Sequence, residues 1–175
     1  ATPVRPTPKG WRWLPTGWDP LIHRPSGVAP LWDSVFIGTG TPRKAEFLRG
    51  IGPTLVFGNS WNGLLQGVNQ PIYLHDYVDV LGKTRVSINL HRSDTVGLNR
   101  RIFEISGCGP CISDRVPGVD EVFGKSLSER MSFATPQEGR ALLLYYLAHD
   151  KERDELWQAE RAAIAPYTYE AQAQR

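Results

Sequence analysis

The sequence has little of what marks several common classes of protein. It contains only two cysteines, four histidines and a formal net charge of +2 over 175 residues. A zinc site is not supported, because there is no second cysteine pair and the histidines are widely spread. The basic residues are scattered, whereas proteins that bind nucleic acid regardless of sequence usually cluster them on one face. We therefore expect no metal, and nucleic acid is not indicated as a partner.

Other absences narrow the class further. No apolar run approaches the roughly 18 to 20 residues that span a bilayer, and no charged-then-apolar leader opens the sequence. We expect no membrane span and, by default, a cytoplasmic protein. A Gly-x-Ser-x-Gly segment is also missing, so a serine hydrolase is not indicated. The content of 41% hydrophobic and 22% charged residues is typical of a soluble globular chain.

The order of patterns along the chain predicts three parts. Residues 1–33 are rich in proline and tryptophan, which predicts an extended lead-in that its tryptophans anchor to the domain. Residues 34–150 alternate short apolar runs with helical periodicity. Residues 151–175 form a C-terminal helical tail, with a helix at 151–165. Predicted strands are 34–38, 54–57, 71–73, 85–90 and 110–113; the other predicted helices are 43–50, 76–81, 99–107 and 135–149, the last with an N-cap at Thr135.

Strands that alternate with helices predict an α/β domain with a single doubly wound, Rossmann-like parallel sheet and helices on both faces. Sheets of this kind bind ligands beyond the carboxyl ends of their strands. The loops after Ile37, Phe57, Leu90 and Ser113 are therefore the places to look for a site.

The first candidate is the glycine turn at Gly38 and Gly40, followed by Arg43 and Lys44 at a helix start. Glycines let a phosphate approach the backbone, and a helix N-terminus favours anions. Arg43 stands where a dinucleotide fingerprint has its third glycine, and the Gly-Lys-Ser/Thr ending of a P-loop is missing. The turn is either an anion site or only a tight strand-to-helix connection.

The second candidate is stronger. A strand end is followed by Arg92, then by Asn99, Arg100, Arg101 and Glu104 on a helix start. Two arginines there oppose the helix dipole at about half a kcal/mol each, which an anionic ligand would offset. Arginine would then bind a diphosphate and Glu104 the vicinal hydroxyls of a ribose. A plain ion pair within the helix is the alternative, since Arg100 and Glu104 are four residues apart.

Two further segments are weaker. Cys108 and Cys111 enclose Gly-Pro as in thioredoxin-type redox motifs, but here a helix ends before the motif and a strand follows it. We interpret them as buried structural cysteines. The loop with Gly118, Asp120 and Glu121 follows a predicted strand, and its acids either bind sugar hydroxyls or are simply solvated.

Taken together, these segments resemble the C-terminal donor domain of GT-B glycosyltransferases, in the spore-maturation-protein-like branch of group 1 transferases. The most specific match is residues 99–109, Asn-Arg-Arg-Ile-Phe-Glu-Ile-Ser-Gly-Cys-Gly. Residues 14–20, Leu-Pro-Thr-Gly-Trp-Asp-Pro, resemble the segment that enters the second domain in that family. Residues 35–38, 57–59 and 86–90 also match, and the similarity covers roughly residues 14 to 170.

The resemblance implies the C-terminal half of a GT-B fold and a nucleotide-diphosphate sugar as co-substrate, with no other cofactor. It implies that Glu104 holds the ribose and that Arg101, with Arg43, neutralises the diphosphate leaving group. Many members carry a second acid eight residues before the glutamate, but Val96 stands there, which leaves Asp94 or Asp120 as substitutes. Retention of the anomeric configuration is also implied.

Two functions remain open. The first is a donor domain whose acceptor half comes from an N-terminal domain or a partner chain. The second is a non-catalytic module of the same fold that mediates protein–protein contact. A dinucleotide oxidoreductase is disfavoured, because Arg43 replaces a fingerprint glycine. The arrangement of Glu104, Arg101 and Arg43 helps to distinguish the first two: their convergence on one open cleft favours donor binding, and another side chain filling that space favours the module.

Overall fold

Short apolar segments form one parallel sheet. The computed structural model describes residues 16–92 and 97–174. Its strands are β1 (Trp32–Ile37), β2 (Leu55–Phe57), β3 (Thr84–Asn89), β4 (Cys111–Asp114) and β5 (Ser132–Phe133). Every neighbouring pair is parallel, in the order β2-β1-β3-β4-β5. This is the predicted doubly wound sheet.

Helices cover both faces of the sheet, as predicted. They are α1 (Pro42–Ile51), α2 (Leu74–Gly82), α3 (Arg100–Cys108), α4 (Pro117–Phe123), α5 (Lys125–Met131), α6 (Pro136–Ala148), α7 (Asp150–Ile164) and α8 (Tyr169–Ala173). Right-handed crossovers place α1 and α3 on opposite faces, because their connections run towards opposite edges. Accordingly α1 packs against α6, and α3 packs against α2 and α7. No helix in the described part of the chain has the length and apolarity to cross a membrane.

The central strands are buried on both faces. Val35 and Phe36 of β1, Val86 and Ile88 of β3 and Ile112 of β4 are all 0% exposed. Burial on both faces suits a parallel sheet that helices cover on each side.

Side-chain caps fix where the principal helices begin. Thr41 accepts a hydrogen bond from the N–H of Lys44, and Thr135 accepts one from the N–H of Glu138. In both helices a proline follows the cap, where its missing N–H costs nothing. The predicted N-cap at Thr135 is confirmed.

The lead-in is joined to the tail through Trp18. Its indole Nε1 donates to the carbonyl of Ile164 at 2.9 Å, and its backbone forms a parallel bridge with Thr168. The side chain is 3% exposed and packs so closely on α3 that a Cβ at Gly107 would lie 2.8 Å from it. Trp18 therefore anchors the lead-in as expected, while Trp11 and Trp13 lie outside the described residues.

Residues 71–73 do not form the predicted strand. The chain pairs with the β2 edge at Asn69 instead, whose N–H donates to Val56 O at 2.8 Å and whose carbonyl accepts from Gly58 N at 3.2 Å. Pro71 has no N–H to contribute to a ladder. The following residues lead directly into α2, which begins at Leu74.

The predicted loop around Gly118 is a helix. Pro117 starts α4, and Val119, Val122 and Phe123 are buried with helical spacing. Helix α5 and the two-residue strand β5 follow and were not predicted. Gly118 and Gly124 favour a turn by composition, and helices of seven residues carry too little periodicity to outweigh that signal.

Candidate functional site

The sheet order creates a crevice at the carboxyl ends of β1 and β3. These strands are neighbours, but their following connections leave towards opposite edges, which opens a ligand-binding position in doubly wound sheets. An open pocket of about 700 Å³ lies there. Its walls come from the ends of β1 and β2, from α2, from the start of α3, and from the lead-in and tail. The lining residues include Ile22, His23, Gly38, Thr39, Tyr73, Leu74, Tyr77, Asn99, Arg100, Arg101, Glu104 and Tyr169.

The start of α3 supplies four of the five predicted site residues that line the pocket. Arg100, Arg101 and Glu104 all line the pocket. Asn99 lines it too and fixes the helix start, because its Oδ1 accepts from Ile102 N at 3.1 Å. The Asn99 amide also donates to Oδ1 of Asn89, at the end of β3, at 3.0 Å. The N-terminal end of α3 is therefore tied to the sheet.

Glu104 is a buried carboxylate at the base of the pocket, with 8% of the residue exposed. Its Oε2 accepts from the Tyr77 hydroxyl at 2.8 Å, and its Oε1 lies 2.7 Å from Arg100 Nε. His23 Nε2 is 3.8 Å from the same Oε1. The ion pair with Arg100 that the sequence left open is thus present. Because Arg100 is 63% exposed, that pair contributes little stability.

Arg101 lies against the glycine turn. A Cβ at Gly38 would be 3.1 Å from both terminal nitrogens of Arg101, so a side chain at position 38 would crowd the guanidinium. Within residues 16–92 and 97–174, Arg101 forms no hydrogen bond or ion pair. A half-buried guanidinium without an acceptor is well suited to bind an anionic group of a ligand.

Lys44 adds a second cationic group beside the pocket. The residue is 5% exposed, and its Nζ donates to the carbonyl of Thr39 at 3.1 Å. Burial, helped by the positive charge of Arg101, lowers the pKa of Lys44 from 10.5 to about 8. An anion bound next to Arg101 would therefore relieve repulsion between the two side chains.

The amides of the glycine turn are already used within the fold. Gly38 N–H donates to Phe57 O and Gly40 N–H donates to Asn59 O, each at 2.8 Å. The carbonyl of Gly38 accepts from Trp61 Nε1 at 2.9 Å. Gly40 packs against Trp61 and does not line the pocket as the described residues form it. The turn is thus a tight connection, and any phosphate contact falls mainly to side chains.

Arg43 does not join Arg101 in the pocket. Its Nη2 pairs with Asp114 Oδ2 at 2.7 Å, and its Nη1 donates to His91 O at 3.2 Å. Burial acts to raise the pKa of Asp114, but hydrogen bonds from His91 and Arg43 outweigh it and hold that pKa below its ordinary value. The expected convergence of three residues thus holds only for Glu104 and Arg101. Arg43 instead ties α1 to the end of β4.

The remaining predicted residues lie away from the pocket. Asp120 and Glu121 are exposed on α4, and Arg92 is exposed after β3. Gly118 has a packing role, since a Cβ there would lie 3.1 Å from Leu98. None of these four lines the pocket formed by the described residues. Asp94 and Val96 lie outside the described residues.

The two cysteines are buried, as expected for structural residues. Cys108 is 2% exposed and Cys111 is 0% exposed. Burial, reinforced by Glu104, raises the pKa of Cys108 to about 12, so its reactive thiolate form is scarce near neutral pH. Across the described part of the chain, no three His, Cys, Asp or Glu side chains are grouped to hold a metal ion.

Two residues that contact Glu104 were not predicted from the sequence. Tyr77 and His23 both face Glu104, yet they lie 27 and 81 residues before it. Tyr77 lies on a predicted helix whose apolar spacing indicates packing in the core. His23 lies in the proline-rich lead-in. No local motif marks either residue, because only the tertiary fold brings them to α3.

Two solved structures share the fold of this chain. Sucrose-phosphate synthase from Thermosynechococcus elongatus has a similar fold, with a TM-score of 0.63 and 17% identity over 93% of this chain and 50% of that chain. AviGT4, a glycosyltransferase involved in avilamycin A biosynthesis, gives 0.62 and 16% over 93% of this chain and 55% of that chain. This chain thus spans about half the length of each.

No curated protein matches the sequence. At identities this low, the two structures show a shared fold alone. Family membership rests on the sequence itself: residues 43–175 match the glycosyl transferase-like family. That match covers more than half of the chain and includes α3 with Arg101 and Glu104, so the chain belongs to the glycosyl transferase-like family.

Proposed function

We propose that this chain is the donor domain of a glycosyltransferase and binds a nucleotide-diphosphate sugar in the pocket beside α3. The observation that carries the proposal is that Glu104 and Arg101 line the same open pocket. They are three residues apart on one helix, about 4.5 Å along its axis. That spacing suits a ribose and the phosphate groups attached to it.

In this proposal Glu104 binds the ribose. An ionised carboxylate only accepts hydrogen bonds, and vicinal hydroxyls donate two of them side by side. Glu104 lies at the base of the pocket and is 8% exposed. Its burial makes such bonds stronger than they would be in water.

Arg101 and Lys44 bind the diphosphate and stabilise it as a leaving group. When the glycosidic bond to phosphate breaks, negative charge develops on the departing diphosphate. Arg101 forms no hydrogen bond or ion pair within the described residues, and Lys44 Nζ donates to the carbonyl of Thr39, a residue that lines the pocket. Their positive charges support leaving-group departure without a further cofactor.

The acceptor half belongs to another unit. Both similar structures are about twice as long as this chain, and a cleft enzyme of this class needs a second surface to hold the acceptor. We propose an N-terminal domain or a partner chain for that role. Within the family, the segment at residues 99–109 supports the spore-maturation-protein-like branch.

Calorimetric titration of the purified chain with UDP, GDP and several nucleotide sugars tests this function. We expect saturable binding of at least one of them with one site per chain. If a demonstrably folded protein binds none, the donor role is wrong. The non-catalytic interaction module then becomes the better account.

Arg101→Ala is expected to weaken binding of a nucleoside diphosphate by about 1–2 kcal/mol, because a charge-assisted hydrogen bond is lost. Binding of the bare nucleoside should change little. Calorimetry with both ligands measures the difference. Arg49→Ala, at an exposed position on α1, is the matched control and should leave both affinities intact. Equal losses for the nucleoside and the diphosphate would argue against a phosphate contact at Arg101.

The affinity for a nucleotide sugar is expected to fall as pH rises above 8. Lys44 has a pKa of about 8 in the free protein, and a nearby diphosphate raises that pKa by favouring the protonated amine. Binding is therefore constant at lower pH, where Lys44 is protonated in both states. Above pH 8 it weakens by up to about tenfold per unit, because Lys44 is then neutral in the free protein and must take up a proton when the diphosphate binds.

Titrations between pH 6.5 and 9 in buffers of different ionisation enthalpy test this linkage. Near pH 8 they should show proton uptake on binding. Lys44→Met should bind more weakly and lose the pH dependence. An identical pH profile in Lys44→Met and the parent protein would exclude Lys44 as the source.

A further inference from the structure

The carboxylate of Glu104 is contacted from three parts of the fold. Tyr77 on α2 donates to Oε2 at 2.8 Å. Arg100, on the same helix as Glu104, pairs with Oε1 at 2.7 Å. His23 from the lead-in places Nε2 at 3.8 Å from Oε1, which is too long for a hydrogen bond; the two groups form an ion pair only when the imidazole is protonated.

These contacts leave part of the hydrogen-bond acceptor capacity of Glu104 free for a ligand. A carboxylate offers about four lone-pair positions on its two oxygens. Tyr77 occupies one position on Oε2, and Arg100 occupies one on Oε1. One acceptor position therefore remains on each oxygen. That pattern matches two neighbouring hydroxyl donors, provided that the carboxylate keeps its orientation.

Tyr77 is suited to keep that orientation. Burial, together with the adjacent Glu104 charge, raises the pKa of Tyr77 well above its usual value. The hydroxyl thus stays protonated and acts as a donor to the carboxylate. Tyr77 also lines the pocket from α2. Its hydroxyl therefore approaches Glu104 from a different helix than α3, which carries Glu104.

His23 is held in place by its own turn. The ring Nδ1 lies 3.1 Å from Asp19 O and 3.3 Å from Asp19 N. The backbone N–H of His23 donates to the same carbonyl at 2.8 Å. Asp19 follows Trp18, which is buried against α3 and bonded to the tail. The position of the imidazole is therefore set by the anchor of the lead-in.

We propose that Tyr77 and His23 are positioning residues that fix the Glu104 carboxylate for a vicinal diol, which makes the lead-in part of the donor site. This inference rests on the proposed function. It predicts a preference between two sugars that a purely structural role of Tyr77 and His23 would not produce. The site should distinguish a ribose, with two neighbouring hydroxyls, from a 2′-deoxyribose, which has one.

Competition between UDP or GDP, whichever binds more tightly, and its 2′-deoxy counterpart tests the inference. The parent protein should prefer the ribonucleotide by about tenfold, the worth of one hydrogen bond to a charged group. In Tyr77→Phe the preference should fall below about threefold, because Oε2 of Glu104 loses the hydrogen bond that orients it. Tyr146→Phe is the matched control, because its hydroxyl donates to Arg130 O at 2.9 Å and neither residue lines the pocket. The preference should be kept in this variant.

His23→Gln provides a second variant, so that a Tyr77→Phe protein that fails to fold still leaves the inference decidable. It should reduce the preference too, while His149→Gln, at an exposed position, should not. A full preference in folded Tyr77→Phe and His23→Gln, with Glu104→Ala losing it, overturns the positioning role and leaves the donor site intact. A folded parent protein that binds no nucleotide overturns both.

Discussion

Replacing Glu104 with alanine is expected to weaken nucleotide-sugar binding by about 1–3 kcal/mol, or roughly 5- to 150-fold. The substitution removes the acceptor for the ribose hydroxyls. It also leaves Tyr77 and Arg100 without the carboxylate to which they donate. Calorimetry with the tightest-binding nucleotide sugar measures the loss.

Two controls separate this effect from general damage. Glu121→Ala removes an exposed carboxylate on α4 that lies outside the pocket, and it should leave affinity unchanged. Glu104→Gln keeps one accepting oxygen and should bind between the parent protein and Glu104→Ala. An unchanged affinity in folded Glu104→Ala would remove the ribose role.

Trp18→Ala is expected to lower the free energy of unfolding by about 3–5 kcal/mol, the usual range for deleting a large buried aromatic side chain. Trp18 is 3% exposed, and its indole N–H donates to Ile164 O. Its loss leaves a cavity over α3 and an unpaired carbonyl at the end of α7. Urea or thermal unfolding measures the change.

The matched control is Leu21→Ala in the same segment. Leu21 is 81% exposed, so its truncation should change stability by less than about 0.5 kcal/mol. If Trp18→Ala is as stable as the parent protein, the lead-in does not belong to the folded domain. The contribution of His23 to the site would then also be in question, because Trp18 anchors that turn.

The sequence predicts the central sheet well because its signals are local and strong. Strand β1 contains the apolar run Val35-Phe36-Ile37, and β3 and β4 each contain buried Val or Ile residues, with glycine or proline close to one end of each strand. Strand β5 has only two residues, and helices α4 and α5 have seven each. Such short elements are formed by packing against their neighbours more than by their own periodicity.

In the candidate site, too, residues that are close in sequence could be predicted, and residues brought together by tertiary packing could not. Arg101 and Glu104 were predicted because they lie on one turn of α3, and the structure places both in the pocket. Arg43 was expected beside them, but Asp114, 71 residues away, pairs with it. Tyr77 and His23 were missed because they reach Glu104 only through the packing of α2 and the lead-in on α3.

A crystal structure of the chain with its tightest-binding nucleotide sugar tests the central claim most directly. The account predicts both ribose hydroxyls within hydrogen-bond distance of the Glu104 carboxylate and the diphosphate against Arg101 and the Gly38 turn. A nucleotide bound at another face of the sheet, or one in the pocket with its ribose turned away from Glu104, would contradict it.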